Sequence, residues 1–218
     1  MIIALFKQAE KVTENGLIAF NGMVVGLGDK VDLSNIGHYI KYALESKEND
    51  CTKIACGIIS DLSERMDQYL DDFVPCLHQI LSDETLDRKI KLPALHALGE
   101  LCLNCGVQFN QKYLDKTMTM MNLAGRASIQ TTQYVNDAET LEFLKELREA
   151  IIDQYIIILM SAEDTSCLEQ FGMYLETIFD FLESTAKIEA VQGPNTIRLI
   201  LSLVGDLAKA FPGHQGVK

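Results

Sequence analysis

The chain of 218 residues has no tryptophan and only 4 prolines. Proline removes a backbone donor and breaks helices, so its scarcity, beside many Leu, Ile, Ala, Glu and Lys, favours an all-helical chain. No window reaches about 18 uncharged apolar residues, so no membrane-spanning helix is expected. Positive charge is also short: 19 Lys and Arg face 31 Asp and Glu, for a net charge of −12. Nucleic acid is therefore not an expected partner, because neutralising phosphates takes clustered cations. An anionic membrane surface would repel the chain for the same reason. A basic partner is the natural complement, although acidity also serves plain solubility.

What remains describes a folded chain, with 48% hydrophobic and 23% charged residues. The opening MIIALFKQAEKV has a short apolar run without a basic flank or a small-residue cleavage site, so no secretory leader is expected. Six cysteines (Cys51, Cys56, Cys76, Cys102, Cys105, Cys167) sit in or beside apolar helical stretches and are expected as reduced thiols of a cytosolic or nuclear protein. The abrupt start and stop point to a fragment of something larger.

Three segments repeat one another: 52-TKIACGIISDLSERM-66, 91-KLPALHALGELCLNC-105 and 197-IRLILSLVGDLAKAF-211. With Asp61, Glu100 and Asp206 in register, Ala55, Cys56, Ile59, Leu62 and Met66 align with Ala94, Leu95, Leu98, Leu101 and Cys105, and with Ile200, Leu201, Val204, Leu207 and Phe211. Each set has the spacing of one buried helix stripe. Amphipathic segments precede the copies: Ser34–Ser46, 70-LDDFVPCLHQILSD-83 and 171-FGMYLETIFDFLES-184, while Lys112–Gly125 precedes a fourth helix at 139-ETLEFLKELREAIID-153. Turn residues cluster at Lys47–Asp50, Ser82–Asp87, Asn104–Asn110 and Gln192–Asn195. The expected architecture is an all-α solenoid, a single array over 1–218. It has a leading helix near 14–28 and helix pairs near 33–67, 69–106, 111–162 and 168–211. A strict tetratricopeptide period is absent. Acid-containing turns followed by a basic residue (Asp50 with Lys53, Asp83 and Asp87 with Arg88 or Lys89, Asn195 with Arg198) match HEAT-type pairs. The stretch 127-ASIQTTQYVND-137 is expected as a polar loop.

Catalytic and metal chemistry find little support. Cys102-Leu-Asn-Cys105 ends a helix with both sulfurs near the apolar stripe, which suits core packing better than a redox pair at a helix start. His38, His78, His96 and His214 are scattered, so no metal site and no cofactor are expected. The glycines of 22-GMVVGLGDK-30 lack phosphate-loop spacing and read as a helix end, and Met118, Met120 and Met121 read as core.

The acids carry the functional reading. Glu142, Glu146, Glu149 and Asp153 share one helix face, opposite Leu144, Leu147, Ile151 and Tyr155. Like charges so spaced cost a helix roughly 0.2–0.5 kcal/mol per pair. Lys145 and Arg148 are placed to offset part of that cost. Asp61, Glu100 and Asp206 point away from their stripes in the aligned helices. Stacked pairs put second helices side by side, so acids from four repeats are expected to line one groove that attracts a basic partner.

At these residues the chain resembles a known family. The segments 86-LDRKIKLPALHALGELCLNCGVQFNQKYL-114 and 141-LEFLKELREAIIDQY-155, with 69-YLDDFVPCLHQILSDE-84 and 203-LVGDLAKAF-211, are similar to the carboxy-terminal HEAT repeats of importin-beta nuclear transport receptors. The resemblance implies a non-enzymatic receptor segment that binds the basic helix of an importin-alpha-type adaptor, or basic cargo, through its acids. It implies phenylalanine-glycine nucleoporins as further partners, Ran contacted mainly through other repeats, and residence in cytoplasm, nucleus and nuclear pore. The family's basic-helix site uses indoles, which this chain lacks. Two alternatives stay open: a HEAT scaffold subunit of a phosphatase or coat complex with a merely solvated acidic face, and a helical enzyme built on Cys102 and Cys105.

Overall fold

The computed structural model describes residues 14–27, 30, 36–46, 48–164, 167–188 and 193–214. Among the described residues there is no strand. They form ten α-helices with short 3₁₀ turns: α1 Glu14–Leu27, α2 Gly37–Glu45, α3 Asn49–Asp61, α4 Leu70–Ser82, α5 Lys91–Asn104, α6 Gly106–Thr132, α7 Ala138–Asp164, α8 Leu168–Gly172, α9 Leu175–Ala186 and α10 Pro194–Ala210. The chain falls into two compact units, Met1–Cys105 and Gly106–Lys218. The expected start of the second segment, Ser34 and Asn35, lies outside the described residues, as do Lys47, Gln192 and the end of the glycine stretch at Gly28 and Asp29.

In the first unit α2 packs on α3 and α4 on α5, and pairs stack through α2 on α4 and α3 on α5, with α1 against α3. The two stripes anticipated here are buried throughout: Ala55, Cys56, Ile59, Leu62 and Met66 on one side, Ala94, Leu95, Leu98, Leu101 and Cys105 on the other. Burying such side chains is the dominant favourable term in forming the layer. Polar side chains then set the register. Lys41 Nζ lies 2.7 Å from Asp72 Oδ1, tying α2 to α4. Asp87 Oδ1 accepts from the Lys89 backbone N–H at 2.9 Å, and Asp83 Oδ1 from that of Thr85 at 2.8 Å. Both acids thus hold backbone amides at the α4–α5 connection, where donors would otherwise lack partners.

In the second unit α6 and α7 form a long antiparallel pair, with α9 packed on α6 and α10 on α7. Several expectations need correction here. The turn placed at Asn104–Asn110 shrinks to Cys105, and α6 begins at Gly106. Asn110 is buried because its side-chain amide donates to Ser161 Oγ on α7 at 3.0 Å. The loop placed at residues 127–137 is helical through Thr132, leaving only 133–137 as the connection. Its polar side chains bond within the helix, Ser128 Oγ to the Gly125 carbonyl and Thr132 Oγ1 to the Ser128 carbonyl. The segment 171–184 breaks at Met173 and Tyr174, where Gly172 leaves room for the Phe211 ring.

The third aligned stripe is also rotated. α10 buries Thr196, Leu199, Leu203 and Leu207, while Leu201 is 67% exposed and Ile200, Val204 and Phe211 are half-buried. Apolar residues at adjacent positions permit either stripe by period alone; packing on α7 selects one.

Gly125 lets α9 approach α6, for a methyl there would sit 3.0 Å from the buried Phe181 ring, itself backed edge-on by Tyr155. Gly205, inside α10, has open space around it. Gly205→Ala should therefore stabilise the protein by about 0.5–1 kcal/mol through helix propensity. Gly125→Ala should destabilise it by about 1 kcal/mol despite the same propensity gain, because the ring must move. Urea unfolding of the two variants checks the opposite signs.

Candidate functional site: a carboxylate face on helix α7

Helix α7 places Glu142 and Glu146 in solvent and Glu149 and Asp153 half-buried, all on one face. Leu144, Ile151 and Tyr155 on the opposite side are buried, and Leu147 is half-buried. The four carboxylates differ in what holds them. Glu142 Oε1 lies 3.2 Å from Lys145 Nζ. Glu149 turns to the first turn of α10, where Oε2 accepts from Asn195 Nδ2 at 2.8 Å and Oε1 from the Thr196 hydroxyl. A carboxylate beside a helix N-terminus also meets the positive end of its dipole. Glu149 is thus engaged in docking α10, which leaves Glu146 and Asp153 as the acids of this face that aim outward with no such bond.

Asp206, on α10, is half-buried and pairs with Lys209 at 3.0 Å. Because α10 packs on α7, Asp206 belongs to the same layer as the α7 face. In the first unit Asp61 is exposed at the end of α3, and half-buried Glu100 on α5 lies 3.9 Å from the exposed His96. α3 and α5 pack side by side, so these two acids belong to one layer of their own unit.

Arg148 does not neutralise this face. It is 1% exposed and points the other way, donating from Nη1 to the Ser128 carbonyl at 3.2 Å and to Thr132 Oγ1 at 2.9 Å. These acceptors stand at the C-terminal end of α6, the negative end of its dipole. Burial pulls the guanidinium down to about 10, opposed by neighbouring Glu149. A signal for this was present, since Arg148 follows Leu144 by four residues and so continues the buried stripe. The cross-helix partners Asn122, which accepts from the Tyr155 hydroxyl, and Ser161 had no such signal.

The thiols are core groups. Cys56, Cys102 and Cys105 are buried, and Cys105 Sγ donates to the Ser63 carbonyl at 3.5 Å. Burial pushes Cys56 and Cys105 from near 9 up to about 12, the Asp67 carboxylate adding to the effect at Cys105. A thiolate is therefore disfavoured where nucleophilic or redox chemistry would need one. Met118 and Met121 are buried and Met120 half-buried. Among the described residues no three His, Cys, Asp or Glu side chains are grouped to hold a metal, and no helix is long and apolar enough to cross a membrane.

Replacing Arg148 tests the α6–α7 tie. Arg148→Ala should cost about 2–4 kcal/mol, from a cavity plus unpaired acceptors, whereas Arg148→Met, which keeps most of the volume, should cost less than about 2 kcal/mol. No loss in Arg148→Met beside a full loss in Arg148→Ala would assign the site to packing alone, and equal losses would assign it to the hydrogen bonds alone. Iodoacetamide at pH 8 should leave Cys102 and Cys105 unlabelled until the chain is unfolded. Because folded Cys56 and Cys105 keep their protons above the unfolded value near 9, their contribution is complete below about pH 9 and is lost as pH rises toward 12, so the urea midpoint should fall across that window.

A family model described as importin subunit beta-1-like, TPR repeats, matches residues 2–218. Importin subunit beta-1 of Schizosaccharomyces pombe is 27% identical over 209 residues, covering 92% of this chain and 24% of that protein. A solved structure of Kap95p, whose binding induces the switch loops of RanGDP to adopt the GTP-bound conformation, superposes with a TM-score of 0.82. It is 24% identical and covers 100% of this chain and 27% of its own. The Kap95:Nup1 complex gives 0.77 at 24% identity, covering 100% and 27%. At that identity the two structures speak to the fold, an α-solenoid. The chain spans about a quarter of the length of these relatives.

Proposed function

The chain belongs to the importin beta-1-like family, and from that membership we propose that it is a segment of a nuclear import receptor. As a member of this family it is not an enzyme. The segment binds a basic adaptor helix of the importin-alpha kind, or basic cargo, through carboxylates of its second-layer helices. The observation that carries this reading is the outward row on α7, with Glu146 and Asp153 at its centre and Glu142 at its end, in a chain of net charge −12. Such a surface draws a cationic segment in and then holds it by carboxylate–guanidinium or carboxylate–ammonium pairs, with no covalent step. Asp61 and Glu100 extend the acid surface of the first unit and Asp206 that of the second.

Further partners follow from the relatives. Kap95p acts on RanGDP and forms a complex with Nup1, so Ran and nucleoporins are proposed for the receptor to which this segment belongs. Its residence would be cytoplasm, nucleus and nuclear pore. A second reading rests on a specific observation: Glu149, Glu142 and Asp206 each have partners within the chain, as solvated faces of a plain HEAT scaffold commonly do.

Binding of a fluorescent basic adaptor-type peptide at low and high salt separates the two. The triple variant Glu142→Lys, Glu146→Lys, Asp153→Lys should lose about tenfold or more in affinity, and the wild-type affinity should fall steeply with salt. Weak binding that is unchanged in the variant and insensitive to salt would favour the scaffold.

A further inference from the structure

Helices α1 and α3 leave a groove between them, in the first unit and apart from the carboxylates of α7. It holds about 420 Å³ and is lined by Glu14, Ile18 and Asn21 on α1 and by Asp50, Lys53, Ile54 and Gly57 on α3. Glu14, Ile18 and Asn21 have the i, i+4, i+7 spacing of one helix stripe, and so do Asp50, Ile54 and Gly57. Glu14 and Asp50 each stand in the first turn of their helix. The Cys51 thiol is pushed up by burial first and then by its acid neighbours, Glu14 and Asp50 among them, which puts both first turns at one end of the groove. The groove thus has a charged mouth, an isoleucine on each wall, and an amide and a glycine at the far end. Seven residues of helix rise about 10.5 Å, the length of about three residues of extended chain.

Two features of the far end point to a ligand. Asn21 Oδ1 is buried without a hydrogen-bond partner among the described residues, although buried polar atoms are as a rule bonded. Gly57 stands inside α3, where alanine would favour the helix, and a methyl there would meet nothing within 4 Å. A glycine bounding a groove lets another backbone come close. We infer that this groove is a docking site for an extended peptide segment. The segment passes over Gly57 and donates a backbone N–H to Asn21 Oδ1. It lays one apolar side chain between Ile18, which is 51% exposed, and half-buried Ile54. Hydrogen-bond complementarity selects the occupant, because an extended backbone offers a free donor and a free acceptor to the two ends of the Asn21 amide. A helical segment does not, since its own ladder takes up those groups. Lys53 joins Glu14 and Asp50 in the lining, so charges of both signs are present and the ligand needs no net charge.

An uncharged probe tests this: the peptide acetyl-Ser-Gly-Leu-Gly-Ser-amide, titrated into the whole chain and followed by isotope-edited NMR. Signals of the Asn21 side-chain amide, Ile18, Ile54 and Gly57 should shift. N-methylation deletes one backbone donor at a time, and at one of the three central positions it should weaken binding about fivefold or more. Asn21→Leu should weaken the parent peptide similarly and remove that sensitivity. Gly57→Ala, with room for its methyl, should keep the fold by circular dichroism yet weaken binding about threefold or more by narrowing the groove. Affinity should change by less than about twofold between low and high salt, because no ion pair carries it. Absence of shifts at these residues, uniform tolerance of N-methylation, or binding untouched by both variants would overturn the docking site. A steep loss with salt would also overturn it, assigning the contact to Glu14 and Asp50.

Discussion

Helix α7 can show its acids to solvent only because its other side is anchored to α6, and that anchoring depends on a buried guanidinium. Arg148 is 1% exposed and donates from Nη1 to a carbonyl and a hydroxyl at the end of α6, while its buried Nη2 has no hydrogen-bond partner among the described residues. A charge in such a place is costly unless its hydrogen bonds are made. The C-terminal end of a helix offers the needed acceptors and a favourable dipole. The same contact absorbs Ser128 and Thr132, which extends α6 to Thr132 and shortens the connection to 133–137. Asn110 with Ser161, and Asn122 with Tyr155, complete a series of polar ties along the pair. These ties fix the rotation of α7, and the rotation decides which residues face outward.

The acid face is consequently a set of carboxylates in different situations. Glu149 holds the first turn of α10, Glu142 has a lysine, and Asp206 has another. The lysine pairs stay within their own helices, whereas Glu149 holds one second-layer helix against the next, a structural task placed beside a surface proposed for binding. The division has a physical basis: at the seam between two helices a carboxylate loses water and takes the nearest donors, whereas in the middle of the face it keeps its water and its long-range field.

Much of the fold was legible. The stripes of α3 and α5 are buried position for position, and the leading helix and the core thiols follow from the same periodicity. Legibility failed where polar residues are buried by a partner helix. Asn110, Ser128 and Thr132 look like turn residues because, taken locally, they favour turns and caps. Only α7 supplies the partners that make helix the better state. It failed again in α10, where Ile200–Leu201 and Leu203–Val204 offer two overlapping stripes. Of the α7 site, the shared face and its opposite apolar side were readable, and so was the continuation of the buried stripe through Arg148. The engagement of Glu149 by Asn195 and Thr196 was not, because residues 46 and 47 positions away carry no periodic relation to it.

By itself the sequence determined that the chain is helical, that its helices come in pairs, and that an acidic face lies along 142–153. Those properties depend on spacing within one helix, which a repeat of about 3.6 residues dictates wherever the helix is placed. The tertiary structure alone decided which of two candidate stripes α10 buries, where α6 ends, and which carboxylates are left for a partner. Each of those depends on a donor, acceptor or apolar surface brought in from a distant part of the chain, and packing against that surface outweighs local preference.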